Sequence, residues 1–149
     1  MQINDVVHAI KTKLQQLFGD SYTIHTESVE QGFHEPCFFI ALLEPELRQI
    51  VGRRYHKTIP FDIHYFAQSN EEAYTIADKL MDEMEFITSL HGDVLRGTKI
   101  RAKVVEGVLH FFVNYNMHVY KEKDPVPVME ELKQQFKSKE RSFDDKDKS

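Results

Sequence analysis

A chain of 149 residues with 41% apolar residues and eleven Phe can bury roughly 70% of its unfolded surface, which excludes an unstructured polypeptide and makes one domain the default. A net charge of −5 without a basic stripe argues against nucleic acid as a principal partner, and no sequence-specific nucleic-acid binding is expected. Cys37 is the single cysteine, which excludes a disulfide framework and a thiolate metal cluster and leaves it as a small core residue.

The N-terminus, MQINDVVHAI, lacks the basic-then-apolar order of a signal peptide. No stretch approaches the ~20 apolar residues that span a bilayer, so no membrane partner is expected. Asn4 is placed to cap a first helix running to about Phe18, with Ile3, Val7, Ile10, Leu14 and Leu17 on one apolar stripe. Gly19-Asp20 stops it. Tyr22 to Val29 alternates weakly and reads as a short strand. Gln31 to Pro36 is a break, and Cys37 to Leu43 (CFFIALL) is a continuous apolar run expected to form a strand covered on both faces. Glu44 to Tyr55, with Pro45 and Gly52, reads as a projecting loop or an extended hairpin tip carrying Arg48, Arg53 and Arg54. Ile59, Phe61, Ile63 and Tyr65 alternate with Pro60, Asp62, His64 and Phe66, the pattern of another strand. Pro60 cannot donate to a ladder and predicts an unpaired position near that strand's start.

Ser69 and Glu72 form an S-x-x-E capping box for a second helix. Its stripe is Ala73, Ile76, Ala77, Leu80, Met84 and Ile87, with Met81 at its margin, and His91-Gly92-Asp93 ends it. The last ordered segment, Arg101 to Tyr120, contains a two-residue turn at Glu106-Gly107 and twelve alternating positions after it. Leu109, Phe111, Val113, Tyr115, Met117 and Val119 form an apolar face. Val108, His110, Phe112, Asn114, Asn116 and His118 form a mixed, half-covered one.

The order α-β-β-β-α-β-β-α predicts an α+β fold, a mainly antiparallel sheet of about five strands with helices on one face. Residues 1–121 form the domain. Residues 122–149 form a charged extension, with a short helix on Val128, Leu132 and Phe136 and a disordered end from Lys137.

Catalytic patterns are missing. Glu71/Glu72 and Asp82/Glu83 lie on the wet side of a helix and do not converge. The six Gly make neither G-x-G-x-x-G nor a P-loop, and no G-x-S-x-G occurs. Eight His invite a metal reading. His110 and His118, however, stand ~26 Å apart along one strand at ~3.3 Å per residue. His56 and His64 are equally spaced, and H-x-H and H-x-x-x-H are absent. No metal, no cofactor and no enzymatic activity are therefore expected. A small-molecule pocket would have to draw on His64, Tyr65, His110 and Asn114.

The stretches EQGFHEPCFFIALLEP, RRYHKTIPFDIHYF and GDVLRGTKIRAKVVEGVLHFFVNYNMHVY closely resemble small tail terminator proteins of long-tailed phages and prophages, especially those infecting Gram-positive hosts. The resemblance runs from Ile3 to Tyr120 in order. It implies an α/β-type domain with helices on a sheet, and a structural role without bond-making chemistry. It further implies a ring, commonly a hexamer, that caps the tail tube, stops its polymerisation and meets the head connector. The implied partners are copies of the chain, the tail tube protein and the head–tail connector protein. The implied location is the host cytoplasm during assembly, then the virion tail. Arg48, Arg53 and Arg54, with His110, Phe112 and Asn114 of the mixed face, are the expected contacts to neighbouring subunits or the tube. Another head–tail neck component is the alternative.

Overall fold

The structure, a computed structural model, describes residues 1–26 and 36–122. The first apolar stripe becomes α1, Ile3–Phe18, with Val6, Ala9, Ile10 and Leu14 fully inside and Ile3, Val7 and Leu17 packed at the margin. The N-cap is Gln2 rather than Asn4, and the Asp5 carboxylate accepts the Gln2 backbone N–H at 2.9 Å. A carboxylate in the first turn also faces the positive end of the helix dipole. At the other end Gly19, at φ +78°, donates its N–H to the Gln15 carbonyl and closes the helix.

Strand β1 (Thr23–His25) runs parallel to β2 (Cys37–Leu42), with Thr23 opposite Cys37. Of the two readings for residues 44–55, the structure has the extended hairpin rather than the loop. These residues hold β3 (Glu46–Val51), a turn at Gly52 and Arg53, and the start of β4 (Arg54–Phe66), which pairs with β3. β4 therefore begins five residues earlier than its alternation announces. β2 lies antiparallel to the later part of β4, from Cys37↔Phe66 to Leu42↔Phe61. Pro60 falls just beyond that ladder, opposite Leu43, where its carbonyl accepts the Leu43 N–H and the return N–H of such a pair is the one that proline lacks.

Ser69 caps α2 (Asn70–Glu83), its Oγ accepting the Glu72 N–H at 3.1 Å. The Glu72 carboxylate reaches the Gln68 N–H rather than that of Ser69, and also accepts from the Tyr65 hydroxyl. Ala73, Ile76, Ala77 and Leu80 are buried and Met84 ends the helix, while Met81 stays exposed. Ile87 does not extend the helical stripe. It is the buried centre of β5 (Phe86–Thr88), paired antiparallel with the start of β6 (Val94–Val105).

The β6–β7 hairpin carries the expected two-residue turn, Glu106 and Gly107 at φ +50° and +78°, the primed geometry that matches strand twist. β7 is Val108–Tyr120. A bulge puts Lys99 and Ile100 of β6 opposite one residue of β7, with Lys99 at φ +51°. The sheet order is β1-β2-β4-β7-β6-β5, with β3 on β4. The class is α+β and mostly antiparallel, as expected, but with seven strands rather than about five. The helix expected at Val128 to Phe136 and the charged end lie outside the described residues.

The chain divides into two compact units. The first, Met1–Glu46 with Thr58–Met117, holds the core. Both helix stripes join Phe38 and Ile40 of β2, Phe61, Ile63 and Tyr65 of β4, and Leu109, Phe111, Val113 and Tyr115 of β7 in one cluster. These strand residues share one parity, so both helices lie on one sheet face. Each fully buried side chain of this size contributes about 1.5–3 kcal/mol. The second unit comprises Leu47–Lys57 and the chain from His118. Here the Lys121 N–H donates to the Arg53 carbonyl at 2.9 Å, and the Lys121 ammonium lies 4.4 Å from the Tyr55 ring centroid.

Candidate functional site

Alternation sends Asp62 and His64 of β4, and His110, Phe112 and Asn114 of β7, to the sheet face away from the helices. β4 and β7 are neighbours in the sheet, so residues 48 positions apart meet. Asp62 Oδ2 accepts from His64 Nε2 at 2.9 Å and from His110 Nδ1 at 3.0 Å. The two imidazoles stand edge to face with centroids 4.5 Å apart. The Phe39 ring, opposite His64 in the β2–β4 register, lies 5.6 Å from it. Phe112 stacks beside His110 at 6.2 Å, and from β6 the Arg101 guanidinium covers Phe112 at 4.4 Å with Lys103 at 5.8 Å.

Asp62 is 7% exposed. Burial pushes its carboxyl up, but the hydrogen bonds and positive potential of His64 and His110 outweigh that and hold it below the ordinary carboxylate value. Its other oxygen, Oδ1, is buried with no hydrogen-bond partner. One donor atom from each of Asp62, His64 and His110 lies within 4.8 Å of the other two. Spacing along one strand keeps histidines of that strand apart. It places no limit on a pair from neighbouring strands that share a carboxylate. Asp62 did leave one signal, an acid at an alternate position of an otherwise apolar strand.

The six residues expected at contacts fall into two sets. His110, Phe112 and Asn114 occupy the open face of the first unit and are half-buried. Thr98 Oγ1 donates to the Asn114 carbonyl at 3.4 Å. Arg48 lies on β3, Arg53 in the turn and Arg54 at the head of β4, all exposed in the second unit. Beside them in that unit Leu47, Ile50, Val51 and Tyr120 are exposed at 46%, 45%, 67% and 65%. The Arg53 guanidinium lies 5.4 Å from the Tyr120 centroid. These aliphatic neighbours carry no signal in the sequence, because residues 46–51 lack the alternation of a half-buried strand. The four groups considered for a small-molecule pocket do not converge: Tyr65 is buried on the helix side, with its hydroxyl on Glu72.

Among the described residues no helix is long and apolar enough to cross a membrane. No curated protein matches the chain. The family model described as "Phage tail terminator protein" matches residues 5–127, from inside α1 to beyond β7. A match over that span, on an α+β fold with a mostly antiparallel sheet, shows the identity: the chain belongs to the phage tail terminator protein family.

Proposed function

We propose that copies of this chain form a ring, most simply a hexamer, on the end of the completed tail tube. The ring ends polymerisation of the tube protein and presents the surface to which the head connector joins. Family membership over residues 5–127 carries this reading.

The surface chemistry supports it. A closed ring needs two different, complementary patches on each subunit. One candidate is the second unit's exposed surface of Arg48, Arg53 and Arg54 with Leu47, Ile50, Val51 and Tyr120. Aromatic and Arg side chains are enriched where subunits meet. The other candidate is the wet side of α2, where Glu71, Asp78, Asp82 and Glu83 are exposed. Arg–carboxylate pairs between copies would be bidentate and directional. The open sheet face, with His110, Phe112 and Asn114, is a third contact surface, toward tube or connector.

Charge reversal at Arg53 and Arg54 tests the contact. Ring formation or tail capping should weaken while the circular dichroism spectrum stays unchanged, and unaltered assembly rejects the assignment. Electron microscopy of particles made without the protein tests the role itself. Overlong tails support termination, whereas normal-length tails detached from heads move the reading to a joining component.

A further inference from the structure

We propose that Asp62, His64 and His110 bind one divalent transition-metal ion of the zinc class. This goes beyond the tail-terminator reading and does not depend on it. Two imidazoles and a carboxylate are a donor set that such ions favour over calcium or magnesium. The two carboxylate–imidazole spacings match what coordination requires. Ligand atoms ~2.0–2.1 Å from one ion stand about 2.9–3.4 Å apart when adjacent. Asp62 Oδ2 lies 2.9 and 3.0 Å from the two histidine nitrogens, and all three ligand atoms lie within 4.8 Å of one another. Seating the ion draws the three side chains together around it, and each imidazole then presents an unprotonated nitrogen in place of the N–H it donates to Asp62.

The carboxylate supplies a second, independent observation. Asp62 is more than nine-tenths buried, and its Oδ1 has no hydrogen-bond partner. A buried polar atom left unpaired is costly, and bidentate ligation would satisfy it. Access is available, since the His64 and His110 side chains are 23% and 22% exposed. Phe39 and Phe112 flank the two rings. Arg101 and Lys103, lying over Phe112, oppose added positive charge. The affinity should therefore fall below that of a closed four-ligand structural site. Three protein ligands leave positions open to water or to a donor from another molecule. The bound ion would tie β4 to β7 across their shared ladder.

The test uses the full chain without an affinity tag, titrated with Zn2+ by calorimetry and with Co2+ by visible absorption. One ion per chain and a cobalt d–d band are expected for the unaltered protein. His64→Gln and His110→Gln should each abolish both. A His56→Gln/His118→Gln double variant should keep both, although those two rings also touch, at 5.4 Å. Binding that survives the first two substitutions and vanishes in the double variant overturns the proposal. So does the absence of stoichiometric binding in the unaltered protein, a result that needs no variant to fold.

Discussion

The Tyr115 hydroxyl donates to the backbone carbonyl of Met84 at 2.7 Å, joining the middle of β7 to the residue that ends α2. A helix end leaves carbonyls without helical partners, and here a buried phenol from the sheet takes one. Tyr115→Phe keeps the ring and deletes the donor. Stability to urea should fall by about 1–2 kcal/mol with an unchanged m-value, because the carbonyl is left buried and unpaired. An unshifted midpoint would show that the bond contributes nothing net.

Gly97 sits where no side chain fits. A Cβ there would come 2.6 Å from Val113 Cγ2 and 3.2 Å from both the Met84 carbonyl oxygen and Tyr115 Cε1. Val113 is β-branched and cannot simply swing aside. Gly97→Ala should therefore destabilise the protein by about 1–3 kcal/mol, the usual cost of overpacking. Thermal unfolding followed by circular dichroism measures it, and a melting point equal to the parent's would contradict the packing described.

Two phenols resist ionisation. Burial pushes Tyr65 far up, helped by its hydrogen bond to Glu72 and that group's negative charge, and burial alone pushes Tyr115 up. A phenol whose value is raised by folding favours the fold while it stays neutral. That contribution is complete below the unfolded value near ~10 and fades as pH climbs toward the folded one. Phenolate absorbance from Tyr65 and Tyr115 should thus appear only together with loss of the circular dichroism signal. Tyr65→Phe and Tyr115→Phe should each shrink that late component. Ionisation of either residue in the intact fold would refute the prediction.

Glu106 occupies the first central position of a primed turn at φ +50°, a conformation costly for most side chains and easier for Asn. Glu106→Asn makes the turn Asn-Gly. Stability should rise by about 0.5–1 kcal/mol, as commonly found when a strained turn position receives a compatible residue. Denaturant unfolding gives the sign directly.

Alternation in β7 and the later part of β4, both helix stripes and the Glu106-Gly107 turn were legible because each reflects a local periodicity or a turn requirement. β3 was not, since all six of its residues are exposed and no face was selected to be apolar. β5 escaped for the opposite reason: Ile87 continues the helical spacing of α2, so a three-residue strand hid in the stripe's phase. At the open face, His64 and His110 were both readable as polar positions of a half-covered sheet. Their meeting through Asp62 depends on β4 and β7 being adjacent, and strand order is not written in any local pattern. The three arginines were legible as a charge cluster. The aliphatic company they keep depends on β3.

The outermost strands of the sheet path, β1 and β5, are three residues each. β5 covers only Val94 to Arg96 of β6, so the strand from Gly97 to Val105 runs past its end. Lys99, Arg101 and Lys103 lie along that stretch, and charged side chains on a strand edge discourage pairing by an incoming strand.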